Sequence, residues 1–201
     1  RHDSIAPLNE DQKESVGEIL NGSAHLLNLI NEILELAKIE AGQQDYAIEP
    51  LVIKEVVDEC ITMVQNQAIE KGISIEVEDD FGISCLANHM KIKQVILNFL
   101  TNAIKYNNPN GQIYIEGEKT ANGSFRLSVR DTGLGIPDDK HGLIFEAFSR
   151  LGMETTEIEG TGIGLVVTKE LIEKMEGQIG FESEYGKGST FWFELALVES
   201  S

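Results

Sequence analysis

Four short blocks of polar residues and glycines follow one another in the second half of this chain, and their residue types suit the binding of a nucleotide. They are NFLTNAIKY at 98–106, DTGLGIP at 131–137, GTGIGL at 160–165 and GKGSTF at 186–191. One block alone is weak evidence, because glycine pairs also mark ordinary turns. Four blocks in series, each with a polar group beside the glycines, predict a nucleotide pocket.

The first block places two carboxamides and a cation on one side of a helix. Asn98, Asn102 and Lys105 are spaced i, i+4 and i+7, so they share a helical face. Amide oxygens are hard ligands that suit Mg²⁺, which takes its remaining ligands from water and phosphate. The lysine adds positive charge for phosphate oxygens. A solvated polar face explains this block, taken alone, equally well.

The second block carries a carboxylate at the end of a predicted strand. Asp131 precedes Gly133 and Gly135. A carboxylate only accepts hydrogen bonds, so it selects the exocyclic amine of adenine and disfavours the keto oxygen of guanine. The glycines allow a flat base to approach the backbone closely. The alternative is an aspartate that begins an ordinary turn.

The third block leads into a predicted helix. Gly160, Gly162 and Gly164 precede the helix, whose first amides favour an anion such as a phosphate group. The spacing differs from the dinucleotide-binding fingerprint, and no strand leads directly into it. The alternative is a glycine-rich start of a helix that binds nothing.

The connection between the second and third blocks is too long for a simple turn, and loops of this length often close over a site. Its Phe145 and Phe148 are predicted to anchor it on the core, and Arg150 is predicted to reach a phosphate. Plain core packing is the alternative for the two aromatic residues, and it would anchor the loop as well.

Composition excludes several classes of partner. The 201 residues include 34 acidic and 16 basic side chains, for a formal net charge of -18. That balance argues against nucleic acid as a main partner and against docking on an anionic membrane. Two cysteines make no disulfide framework. Because no apolar run reaches the length of a membrane span and no signal peptide is recognisable, we expect this part of the protein to be cytoplasmic.

Hydrophobic periodicity predicts the elements that position the four blocks. Residues 9–41 show a helical pattern whose apolar stripe is too broad for an isolated helix in water, so it should pack in a bundle. Further helices are predicted at 53–71, 90–106 and 162–175, and strands at 46–49, 73–77, 84–87, 112–118, 124–131, 178–184 and 190–197. The series predicts an α+β fold, preceded by a long amphipathic helix. The predicted fold is a two-layer α/β sandwich whose mixed, mostly antiparallel sheet is covered on one face by helices.

Taken together, the blocks resemble the ATP-binding domain of sensor histidine kinases. That domain belongs to a wider superfamily shared with type II topoisomerases, the heat-shock chaperone ATPase and mismatch-repair ATPases. The blocks are similar to the N box and the three glycine boxes of that family. FEAF at 145–148 resembles the phenylalanine box, which separates histidine kinases from the chaperone and repair relatives.

The resemblance implies ATP and Mg²⁺ as cofactors and gives each residue a role. Asn102 would be the Mg²⁺ ligand, Asp131 would read adenine, and Asn98, Lys105 and Arg150 would be catalytic residues near the phosphates. The implied nucleotide-binding set is Asn98, Asn102, Lys105, Tyr106 beside the base, Asp131, Gly133, Gly135, Ile136, Phe148, Gly160, Thr161, Gly162, Ile163, Gly164, Leu165 and Thr190, the last closing the pocket.

The resemblance extends upstream of the pocket. HLLNLINEILELAKIEAG at 25–42 looks like the second helix of the dimerisation and histidine-phosphotransfer hairpin of these kinases. This implies a homodimer through the N-terminal helix and a response-regulator receiver domain as partner. The implied division is a tail at 1–8, the hairpin's second helix at 9–42, a linker and first strand at 43–49, and the ATP-binding domain at 50–198.

One departure from the family's pattern concerns the phosphate acceptor. The family's acceptor histidine lies early in the first hairpin helix, followed by an acidic residue and then a proline. His2, Asp3 and Pro7 mimic this order, yet only a few residues separate them from the second helix. We therefore expect His2 to be a tail residue, the acceptor helix to be missing from this chain, and the chain to bind ATP without phosphorylating itself.

The resulting hypothesis is the ATP-Mg²⁺-binding catalytic part of a two-component sensor histidine kinase. It transfers the γ-phosphate to a histidine for relay to a response-regulator aspartate. One alternative is an ATP-driven conformational ATPase of the same superfamily, against which the phenylalanine box and the upstream helix argue. The other is a nucleotide-binding regulatory module without kinase activity.

Overall fold

A computed structural model describes residues 8–41, 47–78, 81–149 and 161–198 of the chain. Its helices are α1 (Glu10–Glu40), α2 (Ile53–Glu70), α3 (His89–Lys105) and α4 (Gly164–Lys174), with a 3₁₀ helix at Asp138–Leu143. Its strands are β1 (Glu49–Val52), β2 (Ser74–Val77), β3 (Ser84–Ala87), β4 (Gln112–Lys119), β5 (Ser124–Asp131), β6 (Gln178–Glu184) and β7 (Gly188–Ala196).

Five strands form the main sheet in the order β2-β4-β5-β7-β6. Only the β2–β4 pair is parallel, and the other neighbours are antiparallel. β1 and β3 form a separate two-stranded antiparallel ribbon. The mixed, mostly antiparallel sheet confirms the predicted fold class.

Alternation along the strands separates a buried face of the main sheet from a polar one. The buried face carries Ile113, Leu127 and Phe193, each at 0% exposure. Phe99 of α3 lies against this face, with its ring centroid 5.7 Å from that of Phe191. Because side chains alternate along a strand, every second residue lies on the face that the helices cover. Burial of these apolar residues holds α3 and α4 over the sheet.

α1 begins with a capping box and ends against the domain. Asn9 accepts a hydrogen bond from the N–H of Gln12 at 2.8 Å, and the Gln12 side chain accepts one from the N–H of Asn9 at 3.1 Å. Near the other end Ile39 is 1% exposed, and Glu35 binds Lys91 of α3 at 2.6 Å. The helix is therefore packed on the domain by one face only.

The opposite face of α1 is an exposed apolar stripe. Its members range from 40% to 66% exposed: Val16, Ile19, Leu20, Leu26, Leu27, Ile30, Ile33 and Leu34. This stripe agrees with the broad apolar face predicted from the sequence. No helix within the described ranges is long and apolar enough to cross a membrane.

Three predicted boundaries are corrected. The first strand lies at Glu49–Val52 rather than 46–49, because its register with β3 pairs Glu49 with Ala87 and Val52 with Ser84. α3 starts one residue earlier than predicted, since the Asn88 side chain accepts a hydrogen bond from the N–H of Lys91 and caps the helix. α4 starts at Gly164, two residues later than predicted.

Candidate functional site

The polar face of α3 points at the beginning of α4. Nδ2 of Asn98 donates a hydrogen bond to Oγ1 of Thr168 at 2.7 Å. Nδ2 of Asn102 donates to Oδ1 of Asn98 at 3.3 Å. The two carboxamides are thus part of a hydrogen-bonded group that joins α3 to α4, so Asn98 lies in a helix–helix contact and its face is not a purely solvated one.

The close approach of the two helices depends on a glycine. A Cβ atom on Gly164 would lie 2.8 Å from Oδ1 of Asn98. Among the residues that the structure describes, no side chain caps the N-terminus of α4, where Ile163 holds the N-cap position. The first N–H groups of a helix lack intrahelical partners and favour an anion. The amides at the start of α4 and the carboxamides of α3 therefore border the same region.

Asn102 has the chemistry that a Mg²⁺ ligand needs. Its Nδ2 is engaged by Asn98, while its Oδ1 accepts no hydrogen bond from any residue that the structure describes. Within the same described part of the chain, no cluster of three His, Cys, Asp or Glu side chains is placed to hold a metal. A Mg²⁺ ion there would need one amide oxygen plus water and phosphate oxygens, which is a coordination common at nucleotide sites.

Asp131 is a buried carboxylate at the end of β5, with an exposed fraction of 7%. Its Oδ1 accepts hydrogen bonds from the N–H groups of Gly133 at 2.8 Å and Ser189 at 3.3 Å. Removal from water raises the pKa of this carboxyl to about 6, because desolvation outweighs the two backbone hydrogen bonds that lower it. Oδ2 accepts no hydrogen bond from a described residue and is the oxygen left for a ligand's donor.

The loop after Asp131 passes between the end of α3 and the β6–β7 hairpin. The N–H of Leu134 donates to the carbonyl of Tyr106 at 3.1 Å, and the N–H of Gly186 donates to the carbonyl of Leu134 at 2.7 Å. A side chain on Gly133 would overlap the carbonyl oxygen of Tyr106. The middle of this short loop is therefore held by backbone contacts on two sides, which restricts the position of Asp131.

Gly135 is expected to be among the least replaceable residues of this loop. It has a φ of 63°, and a Cβ there would overlap the carbonyl oxygen of Glu184. Gly123 has a φ of 81° but open space around it. An alanine at this position therefore measures the free-energy cost of the left-handed backbone alone. We expect Gly123→Ala to cost about 1–2 kcal/mol and Gly135→Ala to cost clearly more, measured by urea unfolding. Equal losses would contradict the close contact.

Residues beside this loop have their own fixed partners. The N–H of Ile136 donates to Oγ of Ser183 at 2.8 Å, and its carbonyl lies 3.0 Å from Nε2 of His141. Nζ of Lys105 lies 4.8 Å from the centre of the Tyr106 ring. Lys105 and Tyr106 thus lie together at the end of α3, close to the loop that follows Asp131.

The sheet register shows where Thr190 lies, and its predicted role in closing the pocket stays a prediction. Thr190 pairs with Arg130 across β5 and β7, so its side chain lies on the polar face of the sheet, opposite the Asp131 side chain. Its neighbour Ser189 is 7% exposed and donates its N–H to Asp131. A serine that the sequence analysis did not select is therefore the residue of this block that contacts Asp131.

The expected anchoring role of the two phenylalanines is only half right. Phe145 is partly buried and packs edge-on against Phe181, with ring centroids 6.1 Å apart. Phe148 is 64% exposed and has a φ of 64°. Its N–H donates to the carbonyl of Gly162, and this turned backbone directs the side chain away from the core. Phe145 alone of the pair anchors the loop on the core.

The third block divides into buried and accessible residues. Ile163 is 0% exposed, so its side chain belongs to the core and only its backbone is available to a ligand. Leu165 is partly buried against the core. Oγ1 of Thr161 accepts the N–H of Ile163 and donates to Glu32 of α1. Arg150 and Gly160 lie outside the described residues, and their predicted roles stay predictions.

Two further residues at the site escaped the sequence analysis. Thr168 contacts Asn98, from which it is separated by 70 positions in the chain. Ser183 links Ser189 at 3.0 Å with the backbone of Ile136. Neither belongs to a recognisable block, and only the two-residue period of β6 hints that Ser183 faces the same way as Phe181.

Comparison with known proteins identifies the family of this chain. The family described as "Histidine kinase-, DNA gyrase B-, and HSP90-like ATPase" matches residues 87–199, more than half of the chain. The signal transduction histidine-protein kinase BarA of Escherichia coli strain K12 is 32% identical over 196 residues, which are 94% of this chain and 21% of BarA. This chain thus spans about a fifth of the length of that relative.

Two solved histidine kinases have a similar structure. Full-length ShkA in complex with AMPPNP superposes with a TM-score of 0.80 at 30% identity, covering 98% of this chain and 41% of ShkA. ThkA in complex with the response regulator protein TrrA superposes with a TM-score of 0.73 at 25% identity, covering 96% of this chain and 53% of ThkA. In both cases the similarity includes α1 as well as the domain that follows it.

Proposed function

The chain belongs to the histidine kinase-, DNA gyrase B- and HSP90-like ATPase family, and we propose that it is the catalytic part of a two-component sensor histidine kinase. The observation that carries this proposal is the meeting of three features at one end of the domain. These are the buried Asp131, the carboxamides on α3 and the N-terminus of α4, which no side chain in the described part of the chain caps.

The residues divide the work of holding ATP. Oδ2 of Asp131 accepts the exocyclic amine of adenine, and Gly133 and Gly135 leave room for the base. The N–H groups at the start of α4 bind phosphate oxygens, and Oδ1 of Asn102 holds Mg²⁺. The bound ion supplies positive charge to the phosphates. Asn98 keeps Asn102 in place, and Lys105 adds a cation at the same end of α3.

The proposed reaction is transfer of the γ-phosphate to a histidine, followed by relay to an aspartate of a response-regulator receiver domain. The domain contributes positioning and charge neutralisation and forms no covalent bond with the phosphate. Support for this comes from BarA and ShkA among its relatives, and from the ThkA structure, which contains a response regulator.

The test has two stages. Titration calorimetry with ATP, with and without Mg²⁺, should give saturable binding that is tighter with the ion. Incubation of the chain with γ-labelled ATP and a complete phosphotransfer hairpin as a separate chain should then give an acid-labile label on the hairpin's histidine. Rapid ATP hydrolysis without an acceptor would favour a conformational ATPase. Binding of ATP without any label on the hairpin's histidine would favour a nucleotide-binding regulatory module without kinase activity, and failure to bind nucleotide would contradict the proposal.

We also propose that α1 forms a homodimer through its apolar stripe. The stripe faces away from the domain, since Leu27 is 58% exposed whereas Ile39 on the other face is 1% exposed. Exposed apolar surface of this extent is typical of an interaction site. A partner copy would cover it in the manner of a helical bundle.

Leu27→Gln is expected to weaken this self-association. The substitution places a polar group in the stripe, while Glu14→Gln introduces the same side chain at an exposed position of the same helix. Sedimentation velocity over a range of protein concentrations should show a shift towards monomer for the first variant only. A parent chain that stays monomeric at high concentration would contradict the dimer.

We further propose that this part of the protein works in the cytoplasm. Its two cysteines, Cys60 and Cys85, are buried and unpaired. Burial raises the pKa of both thiols to about 12, so they are inert rather than reactive. Unpaired structural thiols fit a reducing compartment, which is also where ATP is available.

A further inference from the structure

We propose that Thr168 is a positioning residue that sets the orientation of the Asn102 carboxamide, acting through Asn98. This inference rests on the proposed role of Asn102 as the Mg²⁺ ligand. Thr168 lies on α4, whereas the two asparagines lie on α3. The hydroxyl therefore joins two helices. One is α4, whose N-terminus would bind the phosphates, and the other is α3, which carries the proposed metal ligand.

The first step follows from the single hydrogen of a hydroxyl group. Oγ1 of Thr168 lies 2.9 Å from the carbonyl oxygen of Gly164. A carbonyl only accepts, so the threonine hydrogen is used there. Toward Asn98, at 2.7 Å, the hydroxyl can only accept a hydrogen bond. Asn98 must therefore turn its NH₂ group to Thr168.

The second step passes this orientation to Asn102. With its NH₂ group directed at Thr168, Asn98 turns its Oδ1 towards Asn102 at 3.3 Å. An oxygen acceptor requires a donor, so Asn102 turns its NH₂ group inward. Its Oδ1 is then the atom left to point away from Asn98. Reversal of any one amide would place two donors or two acceptors against each other.

Burial restricts Thr168 to this indirect role. The residue is 1% exposed and is covered by the packing of α4 against the core, so it has no surface for a nucleotide. The absence of a side chain on Gly164 gives Asn98 the room to reach it. This hydrogen bond is shielded from water on the threonine side, because the accepting Oγ1 belongs to a buried residue, and such shielding strengthens it.

The test compares three substitutions of the chain. Thr168→Val keeps the shape but removes the hydroxyl, so Asn98 loses the acceptor that orients it and Asn102 presents oxygen and nitrogen alternately. The gain in ATP affinity on adding Mg²⁺ should fall about three- to tenfold, the range of one hydrogen bond. Thr168→Ser retains the hydroxyl and should restore the gain. Thr62→Val is the matched control, since Thr62 makes the same bond to a helix carbonyl but receives none from a side chain.

Two measurements separate this role from a structural one. Calorimetry with adenosine should give equal affinity for all variants, because adenosine carries no phosphate and does not need the metal ligand. In the nucleotide-free protein, NMR should show slow exchange of the Asn98 side-chain NH₂ protons in the parent and in Thr168→Ser, and faster exchange in Thr168→Val. If Thr168→Val does not fold, Thr168→Ala replaces it in both measurements.

The outcomes also separate this inference from the proposed function. One outcome is a Mg²⁺-linked gain in ATP affinity of the parent that Asn102→Ala removes and Thr168→Val leaves intact. In that case Thr168 does not orient Asn102, and the metal site stands. If Mg²⁺ does not raise the ATP affinity of the parent, both the metal site and the positioning role of Thr168 are wrong. If Thr168→Val loses both its affinity for adenosine and the Mg²⁺-linked gain in ATP affinity, the inference is also overturned. The two losses together would mark a general distortion of the domain.

Discussion

Replacement of Asp131 by asparagine is expected to weaken ADP binding by about 1–3 kcal/mol and, at the same time, to stabilise the nucleotide-free protein at neutral pH. The N–H groups of Gly133 and Ser189 both point at Oδ1, so the oxygen of the new amide must stay there. Its NH₂ group then takes the position of Oδ2. A donor would face the exocyclic amine of adenine, which is also a donor.

The gain in stability follows from the raised pKa of Asp131. The folded carboxyl has a pKa of about 6, against 3.8 for the unfolded group, so between these values the folded state binds more protons. Stability from this group is fully present below about pH 4 and is lost as pH rises through about 6, by up to about 3 kcal/mol. The amide of Asp131→Asn does not ionise, so the variant lacks this loss.

Two measurements check the prediction. Calorimetry with ADP at pH 7.5 should show the loss of affinity, and urea unfolding at pH 4.5 and 7.5 should show the parent losing stability relative to the variant as pH rises. Asp139→Asn is the control, because the Asp139 side chain is 74% exposed and should change neither quantity. Full ADP affinity in a folded Asp131→Asn protein would remove Asp131 from the adenine site.

The second large effect concerns Asn102. Asn102→Ala is expected to abolish the gain in ATP affinity that Mg²⁺ brings. The variant lacks the Oδ1 atom of Asn102, which the hydrogen bond to Asn98 leaves available for the metal. Binding of adenosine should change by less than about 0.5 kcal/mol, since this nucleoside carries no phosphate and needs no metal. The expected result is one ATP affinity, the same with Mg²⁺ and with a chelator.

Asn122→Ala provides the matched control for this experiment, because Asn122 lies in the exposed β4–β5 hairpin. It removes the same carboxamide far from α3 and should leave the Mg²⁺ dependence as in the parent. Manganese should be titrated as well, since a second metal that shows the same loss excludes an effect peculiar to Mg²⁺. If Asn102→Ala retains the Mg²⁺-linked gain, the ion is held elsewhere and the assignment of Asn102 is wrong.

Much of the fold was predictable because the relevant signals are local. The hairpin at residues 121–123 and the alternation in β4 and β5 predicted two neighbouring antiparallel strands, and their register pairs Ile113 with Asp131 as expected for a shared buried face. The boundary of β1 was less predictable, because its hydrogen-bonding partner is β3, far along the chain. Hydrogen bonds to a distant strand leave little trace in a strand's own residues.

The candidate site shows the same division. Asp131, Asn98 and Asn102 were recognisable from their blocks, because carboxylates and carboxamides beside glycines have a distinctive pattern. The contact of Ser189 with Asp131 was not predictable, because a shift of one residue, from Thr190 to Ser189, moves a side chain to the other face of a sheet. The aromatic character of Phe148 suggested a buried side chain. Its left-handed backbone directs the side chain away from the core instead.

The amino-acid sequence by itself determined the family, the fold class and the chemical groups of the site, since these depend on residue types at short spacings within single elements. Only the tertiary structure decided which of Ser189 and Thr190 meets Asp131, and that Thr168 holds Asn98. Such contacts join elements that are far apart in the chain. Their partners are selected by strand register and by the approach of α4 to α3, which result from the packing of the whole core.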